Sequence, residues 1–282
     1  MISGIDLVWL EPQSPKEIIE ELKDDYKIEK IYPLYSGGQD SGCTVDFCYK
    51  NYPEMIGKVV FTCTGIGSPI TRKFAIDYAN EKGWDLELTY ARKSYYDIVM
   101  EHGFPGAGSH KIIMGYLKFQ SWYYYYKDFM KGKNACFISG VRKKESMVRD
   151  KKRFYTKKPV DENAGMIFCK PFLYKNGTQL QEYFIKNGLK KSPAYEYFGK
   201  SGECWCGCFY YEWELKMLEK FDPFIFNTIK WLEEQVQEKG SKTAKKFPNW
   251  GRSVGATYSE LQSTLGEFII NEDYCGESCQ VD

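Results

Sequence analysis

Tyr35-Ser36-Gly37-Gly38-Gln39-Asp40-Ser41 is the stretch that decides how the rest of the chain is read. It follows an apolar run, Ile28 to Tyr35, that fits a buried strand, and it opens a segment from about Asp40 to Lys50 that fits a helix. A glycine pair at such a junction lets the backbone turn sharply and come close to a ligand without side-chain interference. The hydroxyls of Ser36 and Ser41, with the unpaired amides of the helix N-terminus, suit phosphate oxygens, and the helix dipole favours an anion there. The same residues would also serve as a turn and N-cap; the mechanism favours phosphate.

Outward from this loop, helical and strand periodicities alternate. Pro15 to Asp24 reads as an amphipathic helix, Lys58 to Cys63 as a strand, Pro69 to Lys82 as a helix and Asp85 to Tyr90 as a strand. Lys111 to Lys131 reads as one long aromatic helix, followed by strands at Ala135 to Ser139 and Met166 to Cys169. This alternation predicts an α/β fold with a mostly parallel sheet and helices on both faces. Past Phe209 the pattern is helical, with Asp222-Pro223 separating two segments and a polar loop over Gly240 to Gly251. The expected division is a nucleotide-binding α/β domain over 1–200 and a helical, cysteine-bearing part over 201–282.

Charge and cysteine usage narrow the classes. With 39 Lys and Arg against 38 Asp and Glu in 282 residues, the formal charge is +1, so any affinity for nucleic acid must be local. A strip over 142–158 is local in that sense, with nine basic side chains against Glu145 and Asp150. It reads either as a solvated loop or as a contact for a nucleic-acid backbone, with Phe154 and Tyr155 available for stacking. No apolar run approaches ~20 residues, so no membrane span is expected. Met1 to Asp6 shows no secretory pattern, and a cytoplasmic protein is expected. Of ten cysteines, Cys43, Cys48, Cys63, Cys136 and Cys169 are scattered singly and read as small hydrophobes. Cys204, Cys206 and Cys208, with Cys275 and Cys279, offer five thiolates where four would hold zinc or an iron–sulfur cluster.

The loop resembles the SGGxDS signature of the PP-loop ATP pyrophosphatase superfamily. Phe61-Thr62-Cys63-Thr64-Gly65, with Pro69 and Thr71, resembles the "DTG…PET" segment of members similar to phosphoadenosine phosphosulfate (PAPS) reductase. Gly140-Val141-Arg142 through Arg149 resembles their "GxRxxES..R" segment, and Lys118 falls where that group has a helix lysine. The resemblance runs from about Lys30 to Cys208. It implies a Rossmann-like, adenine nucleotide alpha hydrolase-like fold that binds ATP with Mg²⁺ and cleaves it between the α and β phosphates. Ser36, Gly37, Gly38, Asp40 and Ser41 would then cradle pyrophosphate, and Thr64 and Gly65 would border the adenosine. Gly140, Arg142 and Arg149 would meet phosphate, while Asp40, Lys118 and Arg142 would carry the catalysis.

Two departures qualify the match. Cys63 stands where the family usually has Asp, and Tyr274-Cys275-Gly276 keeps only the Cys-Gly of the reductase tail. The intact loop and the altered tail together favour ATP over sulfonucleotide reduction. Sulfur-transferring relatives have a similar Cys-Trp motif after the sheet domain, which tilts the cysteine set toward a 4Fe–4S cluster, with Zn²⁺ as the alternative. The implied activity is adenylation of an acceptor for sulfur transfer, with a sulfur-donor protein as a possible partner. Two alternatives stay open: a PAPS or APS reductase using a C-terminal cysteine, and a non-enzymatic nucleic-acid-binding subunit.

Overall fold

Ser14 opens the first helix, α1 (Pro15–Tyr26), with a capping box. Its hydroxyl accepts from the Glu17 amide, the Glu17 carboxylate accepts from the Ser14 amide, and Pro15 sits where no amide is needed. The computed structural model describes residues 13–143, 159–209 and 212–251. After α1 come β1 (Lys30–Tyr35), α2 (Gln39–Asn51), β2 (Val59–Cys63), α3 (Pro69–Lys82), β3 (Leu86–Tyr90) and α4 (Tyr95–His102). A long helix, α5 (110–130), leads to β4 (Ala135–Ile138), β5 (Val160–Asn163) and β6 (Met166–Cys169). Four helices complete the described chain: α6 (Gly177–Lys186), α7 (Ala194–Phe198), α8 (Glu212–Phe221) and α9 (Pro223–Lys239).

The strands form one six-stranded sheet in the order β3-β2-β1-β4-β6-β5. Every pairing is parallel except that of the edge strand β5 with β6. Alternate residues go to opposite faces, and both sets are apolar, as a doubly covered sheet requires. Ile31, Cys136, Ile138 and Cys169 pack with α1, α2 and α6, whereas Tyr32, Val60, Phe137 and Phe168 pack with α5. Pro33 lies in the central strand β1 yet costs little: β1 pairs with β4 over Lys30 to Pro33, and its ladder with β2 covers only Leu34 and Tyr35. Strand order reverses between β1 and β4, which opens a crevice at their carboxyl ends.

Three findings go beyond the sequence reading. The aromatic helix is not uniformly α-helical: wide π turns occupy Gly115–Phe119 and Tyr126–Met130, and Lys118 rides on the first. The helices α4 and α6 were not anticipated, although Ser94 with Asp97 and Asn176 with Gln179 form capping boxes. A hydrophobic cluster also joins α4 and α5 to Trp205, α8, α9 and Trp250, spanning both sides of position 200.

Cys43, Cys48, Cys136 and Cys169 lie fully buried in the cluster under α1, α2 and α6. Burial pushes the Cys48, Cys136 and Cys169 thiols well up, consistent with packing residues. Among the described residues no helix is long and apolar enough to cross a membrane.

Candidate functional site

The glycine loop joins β1 to α2 at the crevice. Gly37 has φ +78°, a conformation that suits glycine and turns the chain at once into the helix. Gly38 is the N-cap of α2 and supplies no side-chain cap to this 13-residue helix. The Ser36 and Ser41 hydroxyls are 2.9 Å apart, and the Ser41 hydroxyl also accepts from the Ser36 amide at 3.2 Å. From behind, Ser192 donates its amide to the Gly37 carbonyl at 2.8 Å, fixing the turn.

The exit of β4 meets this loop. A Cβ on Gly140 would stand 3.0 Å from the carbonyl carbon of Asp40 and from the amide nitrogen of Ser41, so the two backbones touch where only glycine fits. Two residues on, the Arg142 Nε donates to Asp40 Oδ2, with the two side chains 10% and 4% exposed. A guanidinium and a carboxylate are thereby held at the helix N-terminus, away from bulk water.

A second buried ion pair lies alongside. Lys118 Nζ donates to Glu203 Oε2 at 2.7 Å, and neither side chain is more than 7% exposed. Glu203 was not singled out in the sequence; its only signal was its place immediately before Cys204. Thr64 donates its hydroxyl to the Glu203 carbonyl at 3.0 Å. Trp205 donates its amide to the Ile66 carbonyl at 3.0 Å, and Ser68 donates its amide to the Gly202 carbonyl at 2.8 Å. These bonds stitch the cysteine-bearing segment onto the β2–α3 connection. Thr64, Gly65 and Glu203 line a cleft of about 330 Å³ at the ends of β2 and β3. Cys63 lines it too, half-buried and packed against the hydrophobic cluster of Val59, Phe61 and Ala75, and burial raises its thiol pKa.

On the other side of Lys118, Cys204 and Cys206 line a narrow pocket with His110, Lys200, Trp205 and Trp250. Tyr95 donates its hydroxyl to the Cys206 carbonyl at 2.7 Å, and Trp250 donates its indole N–H to the Trp205 carbonyl at 2.8 Å. The hydrogen bond with Cys206 and burial both push the Cys204 thiol up, with Lys118 pulling the other way. For Cys206 the bond with Cys204 lowers the value, but the bond with Cys208 and burial outweigh it. Among the described residues, no three His, Cys, Asp or Glu side chains are placed to hold a metal ion. Cys275 and Cys279, the other members of the expected ligand set, lie outside the described residues, as do Arg149 and the strip from 144 to 158. The demands of Mg²⁺ are lighter, since it keeps water and phosphate ligands and needs one or two carboxylates; Asp40 suits that role.

The structure therefore brings Ser36, Gly37, Gly38, Asp40, Ser41, Gly140 and Arg142 to one crevice. Lys118 and Thr64 are linked through Glu203, which lines one cleft with Thr64 and Gly65, and Cys204 and Cys206 share a pocket with Lys118. The phosphoadenylyl-sulfate (PAPS) reductase of Candida auris, solved as a phosphate complex, is similar at 16% identity, covering 69% of this chain and 88% of that one, with a TM-score of 0.48. The Candida glabrata FMN adenylyltransferase, solved with FMN and the ATP analogue AMPCPP, is similar at 12% identity, covering 68% and 65%, with a TM-score of 0.41. Yeast FAD synthetase, solved with FAD, is similar at 12% identity, covering 66% and 65%, with a TM-score of 0.38. Among curated proteins none matches the sequence. The family model of the phosphoadenosine phosphosulfate reductase domain matches residues 30–204, and the chain belongs to that family.

Proposed function

We propose that the protein binds ATP at the crevice and cleaves it to AMP and pyrophosphate, adenylating an acceptor for sulfur transfer. The observation that carries this reading is the complete glycine loop, fitted against Gly140 and flanked by the buried Asp40–Arg142 pair. In the reaction an acceptor oxygen attacks the α-phosphorus. The bond from that phosphorus to the bridging oxygen breaks, and pyrophosphate leaves with its electron pair. The loop amides and the Ser36 and Ser41 hydroxyls would hold the leaving pyrophosphate, and Asp40 would hold Mg²⁺, which offsets phosphate charge when bound. Arg142 and Lys118 are preorganised cations for charge that develops in the transition state. Thr64 and Gly65 would border the adenosine. Sulfide-level sulfur from a sulfur-donor protein would then attack the activated carbon of the acceptor, a nucleic acid or a small molecule, and AMP would leave with the electron pair of the carbon–oxygen bond; Cys204 and Cys206 are the thiols that share a pocket with Lys118. A 4Fe–4S cluster or Zn²⁺ on this segment would need Cys275 or Cys279 as well, and metal analysis of anaerobically purified protein distinguishes the two.

Calorimetric titration with ATP·Mg and, separately, with PAPS tests the reading. Tight ATP binding with little affinity for PAPS, lost in Asp40→Asn, is the expected result. The family match supports a second reading, reduction of PAPS or its unphosphorylated analogue through Cys275 or Cys279. Preference for PAPS would overturn the first reading in favour of the second.

A further inference from the structure

Two serine-capped helices of this chain, α1 and α4, follow one pattern: the serine hydroxyl accepts from the amide three residues on. The N-cap of α3, Ser68, does not. Its side chain caps no amide of this 14-residue helix. The Ser68 hydroxyl is also buried, at 1% exposure, and has no hydrogen-bond partner. A buried hydroxyl without a partner is costly to keep, and first-turn amides without a cap add to that cost. Ser68 and Pro69, at the start of α3, line the cleft at the ends of β2 and β3.

The other charges around that space are unevenly matched. Arg72, in the first turn of α3, lines the cleft together with Cys63. No carboxylate among the described residues lies within ion-pair distance of its guanidinium. Glu203 also lines the cleft, but Lys118 neutralises it at 2.7 Å, and Lys93 is tied to Glu101. The surplus at the α3 end is positive. This end is also distinct from the glycine loop: Gly37 packs against the Thr71 side chain, whose hydroxyl is bonded to Ser192 at 2.8 Å.

We propose that the α3 end of the cleft is a second oxyanion site, separate from the glycine loop, that takes a phosphate or sulfate group. The Ser68 hydroxyl donates to its oxygens, Arg72 supplies the opposite charge, and the dipole of α3 adds to both. The group arrives either as a free ion or as an ester on an organic ligand. The site does not depend on whether ATP is cleaved.

Cys63 is a local reporter, since it lines the same cleft as Ser68 and Arg72. The reduced full chain is titrated with inorganic phosphate at constant ionic strength while alkylation of Cys63 by iodoacetamide is followed by peptide mass spectrometry. The expected result is protection of Cys63 with a half-effect near or below about 1 mM. Ser68→Ala and Arg72→Gln should each raise that concentration about tenfold. Ser68→Thr, which keeps the hydroxyl, should restore protection, and Ser36→Ala in the glycine loop should leave it unchanged. A parallel titration with ribose 5-phosphate separates the sources: a half-effect about tenfold lower than that of phosphate assigns the site to an ester, and an equal or higher one assigns it to the free ion. Absence of protection up to about 20 mM, or protection that tracks Ser36 rather than Ser68 and Arg72, overturns the proposal. ATP takes no part in this assay, so its failure and failure of the adenylation reading are separately visible.

Discussion

Glu203→Gln sets the stability of the site against its affinity. Lys118 and Glu203 are 7% and 3% exposed and 2.7 Å apart. At an effective dielectric near 20, two unit charges at that separation attract by about 6 kcal/mol. Desolvation of both ions takes back much of this, and removing one partner of such a pair costs about 3–5 kcal/mol. Glutamine keeps an acceptor oxygen, so the loss should sit near the lower figure, about 3 kcal/mol. For a chain of this length that is a fall in Tm of roughly 6–12 °C. Affinity should move the other way. If Lys118 leaves Glu203 to meet a phosphate, the substitution removes its competitor, and the ATP·Mg dissociation constant should fall about tenfold. Scanning calorimetry and isothermal titration on one preparation read both quantities. A Tm within about 2 °C of the parent, or affinity that declines together with stability, would refute the reasoning.

Three further substitutions probe other parts of the fold. Gly140→Ala puts a methyl group 3.0 Å from two backbone atoms of the α2 turn, neither of which can give way. It should cost about 1–3 kcal/mol in urea unfolding and weaken ATP binding; an unchanged midpoint with normal binding would count against the contact. Asp40→Asn keeps the side-chain shape but removes the charge facing Arg142, and pyrophosphate release should fall about a hundredfold or more. His102 gives a pH signature. Burial holds its pKa below 6.5, with Glu101 opposing, and its Nε2 has no hydrogen-bond partner. A depressed folded pKa means stability that is complete above the unfolded value and is lost as pH falls through the folded one. The parent should therefore lose Tm relative to His102→Gln as pH drops from 7.5 toward 5; a constant difference would exclude this role.

Much of the fold was legible because local chemistry and global topology agree. The β2, β3, β4 and β6 segments read as apolar runs of strand length, and each proved to be a strand of the doubly covered sheet. The glycine loop was legible for the same reason: a strand, two glycines and a helix allow few other geometries. Lys118 could be placed on a helix but not at its partner, because Glu203 lies 85 positions away and only tertiary packing joins them. The π turn under Lys118 was hidden too, since its sequence, Gly115 to Phe119, keeps a helical hydrophobic pattern whichever turn it adopts.

The pairing of charges in the crevice carries a last consequence. Arg142 is bound to Asp40 and Lys118 to Glu203, so the cations proposed to meet phosphate already hold carboxylate partners. A polyanion entering such a site gains little from Coulomb attraction unless one carboxylate is neutralised as it arrives. Mg²⁺ carried on the phosphates would do so, engaging Asp40 and releasing Arg142 to an oxygen of the same phosphates, and it halves the negative charge that ATP brings into the crevice. ATP binding should then depend steeply on Mg²⁺. Titration of the parent with ATP in excess chelator should weaken binding about a hundredfold relative to ATP·Mg, a difference near 2.7 kcal/mol. In Asp40→Asn the two affinities should approach each other near the weak Mg²⁺-free value, because the carboxylate that would hold the metal is gone. Equal affinities in the parent would mean that Arg142 reaches phosphate without leaving Asp40, and the exchange of partners would have to be abandoned.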